Sequence, residues 1–253
     1  MRARAGAALP QTCCPTVWLW PGQALYAGPG LDLAPHSGSV WCLAIGIDGP
    51  LTVTTPDGAT REGTTALIPP RLTHQLTCRG RGLVSCYLEP TSDRAEACRS
   101  RMSTWSGEIG LAHTAERDLM FTPSDDESAH RWLDVAAPAS GRSVDPRVAA
   151  AARRIRDDPA TAASARELAT AAGLSESRFL HLFRDELGTT LRRYRIWARL
   201  VHAGTAIGAG AGLTEAAMGS GFASPSHLAD RFKSTFGLSA TRLLATGLTV
   251  RTP

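Results

Sequence analysis

Hydrophobic positions along the chain follow two rhythms. Between residues 17 and 90 they come as short runs: VWLW (17–20), VWCLAIGI (40–47), LTVTT (51–55), TTALIP (64–69) and GLVSCYLE (82–89). The runs are rich in β-branched and aromatic residues, and DGP (48–50), PDG (56–58) and RGRG (79–82) separate them. That pattern predicts strands joined by tight turns, and several strands at this spacing predict a small barrel or sandwich. From residue 91 the rhythm changes. SDRAEACRSRM (92–102) and SDDESAHRWLDVAA (124–137) predict helices with Ser92 and Ser124 as N-caps. PASGRSVDP (138–146) is rich in small residues and predicts a linker over 138–144. Everything beyond it has helical spacing. The expected class is α+β: a barrel over 17–90, a helical packing or dimerisation segment over 91–137, and an all-α domain over 145–247. Residues 1–16, whose short apolar run is broken by Pro10, are expected to be a disordered tail rather than a signal peptide.

The helical half is punctuated clearly. Asp145 can cap a helix that starts at Pro146, a favoured first position for proline, and ends before Pro159. Ser164 and Glu167 have capping-box spacing. Ser175 caps a helix that runs to about Leu187, with Gly188 as its left-handed terminator. Thr190 opens a long helix with Leu191, Tyr194, Trp197, Leu200 and Val201 on one side, and GAGAG (208–212) breaks it. Here the chain repeats itself. GLSESRFLHLFRDELG (173–188) rhymes with GFASPSHLADRFKSTFG (221–237). Ser175, Ser177, Phe183 and Gly188 match Ser224, Ser226, Phe232 and Gly237 at one offset. Glu167, Ala169 and Gly173 match Glu215, Ala217 and Gly221 at an offset one residue shorter. Each unit is a helix, a glycine-bearing turn and a second capped helix, which is the helix-turn-helix pattern. Two such units on one long helix can set two recognition helices one DNA turn apart, about 34 Å, in successive major grooves.

Charge supports that reading. Residues 1–140 hold 11 arginines against 14 acidic residues, a net −3. Residues 141–253 hold 16 basic residues against 9 acidic ones, a net +7. A basic half suits a polyanionic partner. No run of 18 apolar residues is present, so no transmembrane helix is predicted, and a cytoplasmic protein with reduced thiols is expected. Six cysteines (Cys13, Cys14, Cys42, Cys78, Cys86 and Cys98) show neither C-x-x-C nor zinc spacing. Reduced thiols are the default, and a thiol or metal sensor using Cys42, Cys78 or Cys86 is an alternative.

SARELATAAGLSESRFLHLFRDELGTTLRRY and LTEAAMGSGFASPSHLADRFKSTFGLSATRLL carry a resemblance. Residues from about 145 to 245 resemble the DNA-binding domain of AraC/XylS-family transcription regulators. The resemblance implies that Ser177, Leu180 and His181 in one recognition helix, and Ser226, Ala229 and Asp230 in the other, face base edges. Phe179, Leu182 and Phe183, with Leu228 and Phe232, then face the core. Serine can pair with any base, Leu180 or Ala229 can pack on a thymine methyl, and His181 can donate to guanine or to phosphate. Asp230 stands where the family often has a basic residue. It either accepts from a cytosine amino group or repels the DNA backbone. Arg178, Arg184, Arg192, Arg193, Arg231 and Lys233 are phosphate candidates, which would fix register without reading sequence. Tyr194 and Trp197 suit the core better than base stacking.

The first half has its own resemblance. GTTALIPPRLTH (63–74) follows the cupin motif G-x5-P-x-G-x-x-H, with Arg71 in place of the second glycine. GPGLDLAPHSGSVWCLAIGIDGPLTVTTPDG and YLEPTSDRA resemble the entry and exit of the cupin-like sensor domain found ahead of this DNA-binding domain. Metal-binding cupins use a further histidine and a glutamate, but His36 is followed by Ser-Gly and no nearby glutamate completes a set. No metal, no cofactor and no catalysis are expected; a cupin enzyme is the least favoured reading. A barrel without metal can hold a small organic ligand, with His36, Trp41, His74 and Tyr87 as candidate lining. The expected partners are promoter DNA, a small-molecule effector, a second copy of the chain and, as a further candidate, RNA polymerase. A ligand-independent regulator with a vestigial barrel is the other alternative.

Overall fold

The structure, a computed structural model, describes residues 14–139, 141, 144–161 and 163–253. Residues 1–13 of the expected tail, with Cys13, lie outside the described residues, as do positions 140, 142 and 143 of the expected linker. Thr16 already belongs to the first strand.

Nine strands come first: β1 (Thr16–Trp20), β2 (Gln23–Pro29), β3 (Asp32–His36), β4 (Trp41–Ile47), β5 (Leu51–Thr54), β6 (Thr60–Gly63), β7 (Thr65–Ile68), β8 (His74–Cys78) and β9 (Gly82–Leu88). The next segment holds α1 (Asp93–Ser100), β10 (Met102–Ser106), β11 (Ile109–His113), α2 (Glu116–Leu119) and α3 (Asp126–Ala136). The sequence pattern led to helices alone over 91–137, but residues 102–113 form a β-hairpin. Gly107, at φ +64, makes its turn, and β11 pairs with the β7 edge, so a sheet neighbour decides the conformation. Ser92 caps α1 as expected. Ser124 does not cap α3. Asp125 does, accepting from the Ser128 amide at 2.7 Å while the Ser128 hydroxyl accepts from the Asp125 amide.

Two sheets form the cupin-like β domain. One has the order β10-β11-β7-β4-β9-β2-β1 and the other β3-β8-β5-β6, with antiparallel pairing throughout. The larger sheet is buried on both faces, which is why its strands read as nearly continuous apolar runs. One face carries Trp18, Leu25, Leu43, Ile45, Val84 and Cys86 and packs under Cys98, Trp132 and Leu133 of α1 and α3. The other face carries Ala44, Ala66 and Ile68, which meet Leu51, Val53 and Leu76 of the smaller sheet. Toward β1, residues Leu19, Ala24 and Tyr87 of that same face meet the helical domain instead. Arg71 sits at φ +73, the left-handed conformation for which the motif's glycine is suited.

The helical domain runs α4 (Pro146–Asp157), α5 (Ala165–Ala171), α6 (Glu176–Leu187), α7 (Leu191–Gly208), α8 (Leu213–Gly219), α9 (Pro225–Phe236) and α10 (Ala240–Leu244). Its ends follow the sequence signals. Asp145 accepts from the Arg147 amide at 2.9 Å, and Ser164 and Glu167 close a reciprocal box. Ser175, Thr190 and Ser224 each accept from the amide three residues on. Gly188 and Gly237 end α6 and α9 in the left-handed region. Helices α5 and α6 form one helix-turn-helix unit around Phe179 and Phe183. Helices α8 and α9 form the other, around Ala216, Ala217, Phe222 and Leu228. Trp197 and Leu200, successive inward positions of α7, serve the two cores in turn. Finally β12 (Thr249–Arg251) returns to the β domain and pairs parallel with β1, so the first sheet extends by one strand drawn from the far side of the helical domain.

Candidate nucleic-acid interface and interdomain cavity

On α6, Ser177, Leu180 and His181 are all exposed, and Leu180 leaves 37 % of its surface open, unusual for so large an apolar side chain on a helix with a packed opposite face. On α9, Ser226 and Asp230 are exposed and Ala229 is half-buried. The inward positions behave as a helical period demands for Phe179, Phe183 and Leu228, which are buried. Leu182 and Phe232 are only half-buried; Phe232 edges onto a cavity rather than filling the core of its unit. Arg178, Arg184, Arg192 and Lys233 are exposed, and Arg231 is half-buried with its Nε 3.3 Å from His227 Nε2.

Arg193 departs from the expected phosphate role. Its guanidinium donates to the Ser37 hydroxyl at 2.6 Å and to the Ser37 carbonyl at 3.4 Å, tying α7 to the loop after β3. Burial, with Arg71 nearby, lowers its pKa. In this arrangement Arg193 is a domain-seam residue. Tyr194 and Trp197 are fully buried core, as expected, but they also reach a group the sequence reading missed. Glu89, 1 % exposed, follows directly after β9. Its carboxylate accepts from Trp197 Nε1 at 2.8 Å, and from the Tyr194 hydroxyl, Arg156 and the Thr91 hydroxyl at 2.9 Å each. Burial first, and then the Glu89 charge, pushes the Tyr194 phenol far up. A buried carboxylate is tolerable only when so many donors meet it. The only sequence signal for it was an acidic residue closing the apolar run GLVSCYLE.

Beside this network lies a cavity of about 140 Å³. One wall is the inner face of the larger sheet, with Ala24, Tyr26, Ser85 and Tyr87. The opposite wall is helical, from Leu200 and Ala203 on α7 to Phe236 on α9 and Leu243 on α10. Of the four expected ligand residues, only Tyr87 lines it. His36 and His74 face each other instead, with ring centroids 4.2 Å apart, because β3 and β8 pair them directly. Each turns Nδ1 to a carbonyl two residues back, Ala34 and Leu72. Burial, then His74, lowers the His36 pKa to about 4, and burial lowers that of His74. Trp41 lies under the Arg99 guanidinium, 5.1 Å from the ring centroid, in a separate polar cleft between α1 and the end of α6. These placements have one physical cause. The barrel interior is filled by its own apolar side chains, so the space opens at the seam with the helical domain.

Burial pushes the Cys42 and Cys98 thiols up to about 12 and raises those of Cys78 and Cys86, which disfavours the reactive thiolate. Among the described residues, no three His, Cys, Asp or Glu side chains gather as a metal site. No helix among them is long and apolar enough to cross a membrane.

Fold and site define a two-domain architecture, a sheet-rich N-terminal domain carrying a C-terminal helical domain with a doubled helix-turn-helix. A family model described as a helix-turn-helix domain matches residues 168–246. Two similar solved structures are of ToxT from Vibrio cholerae strain SCE256. An apo variant shares 10% identity, with a TM-score of 0.59 over 89% of this chain and 97% of that one. The wild type with bound unsaturated fatty acid shares 11% identity, with a TM-score of 0.56 over 90% of this chain and 96% of that one. A structure of ToxT from Vibrio cholerae O395 with (E)-4-(8-methylnaphthalen-1-yl)but-3-enoic acid shares 11% identity, with a TM-score of 0.52 over 88% and 98%. No curated protein matches the chain by sequence.

Proposed function

We propose that this regulator acts in the cytoplasm as a homodimer on promoter DNA, under the control of a small molecule held in the cavity between its two domains. RNA polymerase is its further partner where it activates. The observation that carries this reading is the position of the cavity. It is walled on one side by the β domain and on the other by α7, α9 and α10, so an occupant touches the sensor and the second DNA-reading unit at once. The ligand-bound ToxT structures lend support, since both of their ligands are largely apolar, as is this lining. A ligand that binds one domain arrangement better than another shifts the population toward it. Here that changes where α9 stands relative to α6 and therefore which half-sites the pair can span.

Ser177, Leu180, His181, Ser226, Ala229 and Asp230 are proposed to read bases, and Arg178, Arg184, Arg192, Arg231 and Lys233 to hold phosphates. Genome-wide mapping of bound DNA supplies the operator for the test. His181→Ala is expected to weaken operator binding by about 1–3 kcal/mol while leaving random DNA nearly unaffected at the same salt. Equal losses on both would make His181 a phosphate contact. Identical footprints and affinities with the cavity empty and filled would refute the coupling.

A further inference from the structure

The cavity also says what kind of molecule fits it, given the reading that it is the effector site. None of its 25 lining residues is Lys, Arg, His, Asp or Glu. The nearest buried charge is the Glu89 carboxylate, which lies behind Trp197 and accepts its indole N–H. An anion placed here would find no cation in the lining, since Arg156 is already paired with Glu89, and burying an unpaired carboxylate is strongly unfavourable. The polar groups of the lining are few. The Tyr26 hydroxyl donates to the Pro29 carbonyl at 3.1 Å, and the Tyr87 hydroxyl is bonded to Cys42. Ser85 is different. It is 2 % exposed, it lines the cavity, and its hydroxyl makes no hydrogen bond among the described residues. Size sets the remaining limit. A dry cavity of about 150 Å³ lined by aliphatic and aromatic side chains takes up benzene, and this one measures about 140 Å³.

We infer that the cavity takes a neutral, largely hydrocarbon molecule about one aromatic ring in size, with one oxygen at most, which the Ser85 hydroxyl bonds. A fatty-acid or benzoate-like anion is excluded by the same lining. Ser85 sits between Ala44 on β4 and Tyr26 on β2 in the sheet register. Its hydroxyl is thus fixed on the sheet wall of the cavity, and the polar end of a ligand must point toward that wall.

The test uses the full chain and three probes of similar size: ethylbenzene, acetophenone and benzoate. Affinities are read by calorimetry, and Ala203→Phe or Ala240→Leu blocks the cavity from either of two helices. Ethylbenzene and acetophenone are expected to bind, benzoate at least 100-fold more weakly, and both blocking variants to abolish binding. Ser85→Ala is expected to weaken acetophenone about 3- to 10-fold and to leave ethylbenzene unchanged. Benzoate binding as tightly as acetophenone, and lost in the blocked variants, would overturn the neutral-ligand inference while keeping the effector site. Failure of all three probes, or binding that survives both blocks, would overturn the effector site itself. Unchanged acetophenone affinity in Ser85→Ala would overturn the role of Ser85.

Discussion

The frame of the first helix-turn-helix unit, α4 and α7, meets the β domain through a buried carboxylate, and the second unit meets it through an apolar gap and two backbone hydrogen bonds. Glu89 binds Arg156 from α4 and Tyr194 and Trp197 from α7, so the first unit's frame is pinned by charge in a dry setting. At the second unit, the Ala34 amide donates to the Gly237 carbonyl at 2.9 Å and the Ser37 amide to the Ser234 carbonyl at 3.1 Å. The rest of that contact is apolar surface around the cavity. One unit is anchored and the other rests on a surface that an occupant can change. The two helix-turn-helix units are thus near copies in sequence but not in attachment, and the regulation proposed above would act through the second.

The largest expected effect tests the anchor. Glu89→Ala removes the ion-pair partner of Arg156 and leaves the buried Tyr194 and Trp197 donors without their acceptor, and should destabilise the protein by about 3–5 kcal/mol in urea unfolding. A loss below about 1 kcal/mol would mean the network is not the anchor. Acid should act on the other side of the seam. The His36 pKa is lowered from 6.5 to about 4 by burial and then by His74, so the neutral ring favours the docked form. Its contribution is complete above about pH 6.5 and is lost as pH falls toward 4, by about 3 kcal/mol in all. His36→Gln should remove that part of the pH dependence of stability; an identical pH profile would rule the histidine out.

The matched terminators give the sharpest comparison. Gly188 and Gly237 end equivalent helices at φ +60 and +77. A Cβ at Gly188 would meet only Pro70, at 4.0 Å, so Gly188→Ala should cost about 1 kcal/mol for the left-handed backbone alone. A Cβ at Gly237 would lie 2.6 Å from the Ala34 carbonyl oxygen and from His36 Nδ1. Gly237→Ala should therefore cost about 1–3 kcal/mol more and open the seam to limited proteolysis. Equal costs would show that the second unit is not docked in this way. Smallest is the rim: Arg193→Ala should cost about 1 kcal/mol by losing its bonds to Ser37, with non-specific DNA affinity unchanged. A fall in that affinity would restore Arg193 to the phosphate contacts.

The helical half was legible because its signals are local. Caps such as Asp145-Pro146, Ser164 with Glu167, and Ser224-Pro225 sit within one turn of the amides they satisfy. The β half was legible only where runs are apolar. Strands β3, β6 and β8 carry Asp32, Arg61, Glu62 and Gln75 on a two-faced sheet, and their pairing comes from distant neighbours. The same limit hid the site. His36 and His74 were named for one candidate lining, but nothing in their spacing says that strand register stacks them. The cavity draws its walls from residues near 20, 85, 200 and 240, so no local pattern can announce it.

Strand β12 has one more consequence. It pairs Thr249 with Thr16, two residues separated by nearly all of the described chain. Contacts of such long sequence separation bear the largest loop-closure entropy and slow folding. Until that pairing forms, the hydrogen-bonding edge of β1 stays open to other strands. Any state in which the β domain has formed without β12 therefore carries an unpaired β1 edge that another chain can join.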